Sequence, residues 1–172
     1  MSPDHPMYDS IYHSKVSTHV SNMIQAYVVA RMKSKDPNTK VGSMVYDPKT
    51  TATFIGYNGF PSGIPDMKSI WDNRDASDPR SKYAFVTHSE SNSIRKAHQC
   101  LGHLEGCWLY VSHYPCGTCM RGHIAMSGIK KVYYADDKHY DPVSDDIARG
   151  CGIEMRLLPM PKVQLLIDGV EI

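Results

Sequence analysis

The sequence predicts an α/β protein of one domain, a three-layer α-β-α sandwich around a mixed five-stranded sheet. Two observations carry this. From residue 88 onward, helical periods alternate with short β-rich runs, the order that builds parallel strands through helical crossovers. Before that, two β-rich runs are separated by Asp47-Pro48-Lys49-Thr50, a turn sequence that joins antiparallel strands. The chain has 172 residues, which is one domain's worth and enough to bury a core without disulfides, so residues 1–172 are read as a single domain.

The elements follow in order. From Met7 to about Met32, Met7, Ile11, Val16, Val20, Met23, Ile24, Tyr27 and Val28 recur mostly at three- and four-residue steps, which predicts an amphipathic helix packed on the sheet. Turn chemistry at 34–40 precedes the hairpin, residues 41–46 and 51–57. Residues 58–86 hold three prolines and no sustained period, and read as a long functional loop. A helix from His88 to about Cys100, a strand at 107–113, a helix from Cys116 to about Met126, a strand at 130–135, a short helix near 143–150 and a strand at 153–158 complete the pattern. Gly128 and Gly152 stand where the second and third of these helices stop.

Composition narrows the function. Hydrophobic residues make up 41% and charged residues 22%, ordinary for a folded soluble protein. A formal charge of +1 gives no general attraction for long nucleic acid, so a small ligand is expected. No apolar run approaches the roughly 20 residues that span a bilayer, and MSPDHPMYDS lacks the apolar stretch of a secretory signal. The expected location is cytoplasmic, the host cytoplasm for a phage-encoded chain, with no membrane association. Five cysteines, an odd number with one close pair, fit reduced thiols and a metal site.

The pair is Cys116 and Cys119, in Pro115-Cys116-Gly117-Thr118-Cys119 at a predicted helix start. Upstream, across one predicted strand, another helix starts at His88-Ser89-Glu90. Two thiolates three positions apart and one imidazole can hold a zinc ion with its fourth position open for water. Glu90, two residues beyond His88, is placed to take and return that water's proton, and H-x-E followed by P-C-x-x-C is the zinc deaminase signature. A redox dithiol would need neither His88 nor Glu90. A closed structural zinc would need Cys107, Cys151 or His113 as a fourth ligand. The remaining cysteines, Cys100 included, read as small core residues, and His98, His103, His113 and His123 as helix-face or packing histidines. Tyr114 stays open as a wall of the base pocket.

At these residues the chain resembles the zinc-dependent cytidine and deoxycytidylate deaminase superfamily, and within it the deoxycytidylate (dCMP) deaminases of phage and eukaryotic type. The resemblance runs from SKDPNTKVGSMVYD through GYNGFPSGIPD, KYAFVTHSESNSI and LYVSHYPCGTC to SGIKKVYYADDKHYD. It implies a cytidine deaminase-like fold, with His88, Cys116 and Cys119 as ligands of one catalytic zinc per chain and Glu90 as the proton shuttle. The implied reaction is dCMP and water to dUMP and ammonia, supplying dUMP for dTMP synthesis. Asn58 would meet the 3′-hydroxyl, Asn38, Thr39 and Lys40 the 5′-phosphate, and Asn92 would face the nucleotide one helical turn after His88. Asn58-Gly59 also reads as a hairpin-type turn.

The resemblance further implies a homohexamer activated by dCTP and inhibited by dTTP, each bound with Mg²⁺ near Asn58, Gly59 and Phe60, with residues 61–86 as the moving element. Ser89 stands where alanine is usual, a small exchange on a helix, and activity is expected to be retained. Arg121 is a candidate phosphate or interface contact. Other readings are a zinc deaminase of free cytidine or of tRNA adenosine, and a zinc-stabilised regulatory module without catalysis.

Overall fold

A computed structural model describes residues 17–160 and the backbone of residues 166–167 and 170–171. Helix α1 spans Thr18–Lys33, and the Ser17 hydroxyl caps it by accepting the Val20 N–H at 3.3 Å. The part of the expected helix before residue 17 lies outside the described residues. The hairpin follows as β1 (Gly42–Tyr46) and β2 (Thr53–Tyr57), with Gly42 opposite Tyr57. A methyl group on Gly42 would lie 1.8 Å from the Ala26 carbonyl oxygen, so only glycine lets β1 pass this close beneath α1.

Residues 58–86 are more structured than the sequence led us to expect. They contain two single-turn helices, α2 (Lys68–Asp72) and α3 (Lys82–Phe85). Phe60 stacks on Trp71 at 4.0 Å between ring centroids and meets Phe85 edge-on at 6.1 Å, a small core of the segment's own. Helices this short leave no readable period, which is why the sequence showed only a loop.

Helix α4 (Ser89–Leu101) leads to β3 (Trp108–Val111). The next helix, α5, begins as an α-turn at Gly117–Cys119, widens to a π-helix at Met120–Ile124 and closes as α-helix at Ala125–Ser127. Strand β4 (Lys131–Tyr134), helix α6 (Pro142–Gly150) and strand β5 (Glu154–Leu157) follow. Strands β6 (Leu166–Ile167) and β7 (Val170–Glu171) form a separate antiparallel pair.

The five-stranded sheet has the order β2-β1-β3-β4-β5. The β3-β4 and β4-β5 pairs are parallel and the β1 pairings antiparallel, the mixed arrangement expected from the hairpin and the later alternation. Neighbouring side chains along the strands feed opposite layers, as the two-residue strand period requires. Met44 and Tyr110 pack with Met23 and Ala26 of α1, whereas Val45, Leu109 and Val111 pack with Ile94 and Ala97 of α4, Met120 and Ile124 of α5 and Ala148 of α6. The sheet thus has a helical layer on each face. No described helix is long and apolar enough to cross a membrane.

Candidate active site

The starts of α4 and α5 converge near the C-terminal end of β3. His88 is the N-cap residue of α4 and Cys116 that of α5, with Cys119 one turn further on. Helix α4 is pressed onto β2 at this end, where a methyl on Gly56 would lie 2.3 Å from the Ser89 carbonyl oxygen and 2.6 Å from the Ser93 nitrogen. That close approach holds the His88-Ser89-Glu90 turn against the sheet. On the other side, the Asp141 carboxylate caps α6 through the N–H groups of Val143 and Ser144 and accepts the Gly117 N–H at 2.7 Å, tying the first turn of α5 to α6.

His88 Nδ1 stands 3.5 Å from Cys116 Sγ and 3.3 Å from Cys119 Sγ, and one ligand atom from each residue falls within 4.8 Å of the other two. Around a tetrahedral zinc, usual bond lengths put a nitrogen and a sulfur ligand about 3.6 Å apart. The cluster therefore has the spacing and the donor chemistry of a zinc site with three protein ligands. Its electrostatics agree. The Cys116 thiol is lowered to about 4, chiefly by the hydrogen bond from Cys119, with burial opposing and His88 helping. His88 is raised, first by its bond with Cys116 against the opposing effect of burial. Cys119 is raised by its bond with Cys116 and by burial. One thiolate is thus held by a neighbouring thiol and an imidazole, a role a cation fills directly.

None of Cys107, Cys151 and His113 joins this cluster, so the described residues offer no closed four-ligand site. Cys107 is buried, but Cys100 and Cys151 are exposed, contrary to the expectation of core residues. The core clusters on the two faces of the sheet contain none of the three ligands. Chelating a bound metal is accordingly expected to leave the far-ultraviolet circular dichroism nearly unchanged. Complete unfolding on chelation would contradict this.

Glu90 lies beside the cluster and is only 4% exposed. The Ser89 hydroxyl donates to Glu90 Oε2 at 2.8 Å, so Ser89 turns towards the carboxylate and not merely into its helix. Both residues line a cavity with His88 and Cys116, and Tyr114, Thr39 and Asn58 stand in its wall. Asn58 is neither a hairpin turn nor a free ligand. Its Oδ1 accepts from the Ser34 hydroxyl at 2.7 Å and the Val41 N–H at 2.9 Å, while its Nδ2 donates to the Thr39 carbonyl at 2.9 Å. One amide N–H remains for a ligand.

Three expected contacts are displaced from the cavity. Asn38 is exposed, its N–H bonded with that of Thr39 to Asp36 Oδ1, and Lys40 extends its ammonium towards the Arg31 carbonyl at 3.4 Å. Asn92 donates to the Tyr57 carbonyl at 2.9 Å and lines a separate hollow with Gly59, Phe60, Arg95 and Lys96. A full turn along α4 has carried it past the metal cluster and over the end of β2.

Several cavity residues escaped the sequence reading. Lys82 of α3 reaches Asp36 Oδ2 at 2.7 Å, and both side chains are almost wholly buried. Burial would raise the Asp36 carboxyl, but Lys82 and the amides of Asn38 and Thr39 together hold it below its ordinary value. Arg74 lines the cavity as an exposed cation with no ion-pair partner among the described residues. His113, expected to be a packing histidine, is also in the wall, stacked on His139 at 5.5 Å, and burial lowers its pKa. Arg74 and Lys82 come from the segment without periodicity, and no local pattern marked them.

Comparison with known proteins agrees with this geometry. The family model "Cytidine and deoxycytidylate deaminase zinc-binding region" matches residues 16–136. The chain is 34% identical over 127 residues to the deoxycytidylate deaminase of Pongo abelii, covering 74% of this chain and 69% of that one. It is 37% identical over 110 residues to a probable deoxycytidylate deaminase of Caenorhabditis elegans, covering 64% of this chain and 53%, about half, of the relative. The crystal structure of dCMP deaminase from the cyanophage S-TIM5 in complex with dCMP and dUMP superposes with a TM-score of 0.63 at 25% identity, over 89% of this chain and 98% of that one.

Proposed function

The chain belongs to the cytidine and deoxycytidylate deaminase family, and on that footing we propose that it hydrolyses dCMP to dUMP and ammonia. The observation that carries the chemistry is a buried carboxylate, Glu90, sharing a cavity with the His88, Cys116 and Cys119 cluster. Support for the substrate comes from the relatives named deoxycytidylate deaminase and from the cyanophage enzyme that binds dCMP and dUMP.

His88, Cys116 and Cys119 would hold a zinc ion, which would supply the acidity that lets water attack C4 of the cytosine at neutral pH. Glu90 takes the water's proton, delivers it to N3, and carries the second proton to the departing amino group, so that one water is consumed and one ammonia leaves. Tyr114 offers a ring face along the base. The free N–H of Asn58 would donate to the 3′-hydroxyl, and Thr39 and Arg74 would take the 5′-phosphate, which has no counterpart in free cytidine. Asn38 and Lys40 would contribute only by reshaping their turn.

For regulation, dCTP as activator and dTTP as inhibitor, each with Mg²⁺, would occupy the hollow that Gly59 and Phe60 share with Arg95 and Lys96. Asn58 lies behind it in the catalytic wall, and the assembly is a homohexamer. Product analysis tests the substrate: each dCMP consumed should give one dUMP and one ammonia, faster with dCTP and slower with dTTP, while cytidine and tRNA stay intact. Deamination of cytidine or tRNA in place of dCMP would move the assignment to another base. No deamination of any of them by zinc-loaded protein would favour a regulatory module.

A further inference from the structure

We propose that Ser89 is a positioning residue that gives the two oxygens of Glu90 separate tasks. Its hydroxyl donates to Glu90 Oε2 at 2.8 Å, and this is its one hydrogen bond to a side chain among the described residues. Ser89 is fully buried and Glu90 is 4% exposed, both at the wall of the cavity. The hydroxyl lies at the first residue of α4, in the turn that Gly56 lets rest directly on β2. Its position is therefore set by backbone packing and not by a flexible stem.

A shuttle carboxylate must accept, hold and release protons without rotating away from the substrate. With one acceptor site of Oε2 engaged by the Ser89 hydroxyl and the carboxylate held against rotation, Oε1 is assigned the pick-up and delivery of both protons, while Oε2 keeps its acceptor role. The inference rests on the dCMP reading and adds a residue to it. The hydroxyl helps only while protons move, so it should count little when substrate or product merely binds.

The test uses Ser89→Ala, which removes one oxygen from a buried site, in the zinc-loaded full chain. Turnover of dCMP should fall about tenfold in kcat with KM within about twofold, as loss of one hydrogen bond to a charged group implies. A second readout needs no turnover. The 5′-monophosphate of 2′-deoxyribosyl pyrimidin-2-one adds water at C4 and mimics the tetrahedral carbon. By calorimetry its affinity should drop about tenfold in Ser89→Ala while dUMP affinity holds. In a Glu90→Ala background the same serine change should cost nothing, because the partner is gone. Equal weakening of dUMP and the analogue, or an undiminished loss in the Glu90→Ala background, would overturn the assignment. So would a Ser89→Ala chain as active as the parent on dCMP, with the substrate reading intact. A parent chain that leaves dCMP untouched and binds the analogue no better than dUMP would overturn the substrate reading and this assignment together.

Discussion

Glu90→Gln is expected to lower dCMP turnover by at least about 10³-fold while zinc content and melting temperature stay near those of the parent. The carboxylate is 4% exposed and glutamine matches it in shape, so packing is preserved. The Ser89 hydroxyl can still donate to the amide oxygen, and none of the three metal ligands is touched. What is lost is the ability to accept a proton, and the reaction needs that ability twice, for N3 and for the leaving amino group. Kinetics and metal analysis on the same preparation check this. Turnover within about tenfold of the parent would remove Glu90 from the proton path.

Lys82→Met is expected to have the largest effect on stability, about 3–5 kcal/mol, or roughly 10 °C in melting temperature for a chain of this size. The Lys82 and Asp36 side chains are 4% and 2% exposed, so removing the ammonium leaves a buried carboxylate with only the Asn38 and Thr39 amides against it. Replacing Asp36 as well, by asparagine, should recover much of the loss, because no unpaired charge remains.

The pH dependence has a definite sign. In the parent, Asp36 is held below its ordinary value, so its contribution is present above the ordinary aspartate range and is lost as pH falls through the lowered value. In Lys82→Met the main force lowering it is gone and burial raises it, so protonation relieves the variant as pH falls. The stability gap between the two should therefore narrow towards acid pH. Thermal melts from neutral pH to below 4 measure it, and a gap that widens would contradict the pairing.

The same ion pair shows where sequence reasoning stops. His88, Glu90, Cys116 and Cys119 were legible because each ligand turn lies at a helix start and the spacings are local. The mixed character of the sheet was legible, since helices alternating with strands favour parallel pairing and a four-residue turn joins an antiparallel hairpin. Asp36 and Lys82 are 46 positions apart, and Lys82 sits on a single helical turn that leaves no period. Arg74 and His113 share that difficulty: cavity membership is a tertiary property.

Asn92 keeps the place on α4 that its distance from His88 gives it, but it lines a different hollow. Four residues after His88 is the same helix face, but one turn along it already leads out of the cavity to the Tyr57 carbonyl. Asn58 lines the cavity while its amide joins Ser34, Thr39 and Val41, partners that no local pattern marks. The π-helical widening at Met120–Ile124, directly after the second cysteine, had no sequence signal at all.

Adding zinc stepwise to metal-stripped protein while following the ultraviolet absorbance of dCMP tests most directly whether the chain is a dCMP deaminase with one three-ligand zinc site. Activity should rise linearly and level off at one zinc per chain, with cytidine unchanged throughout. Full activity on dCMP without metal, a plateau at two equivalents, or no loss of the cytosine signal at any zinc level would contradict it.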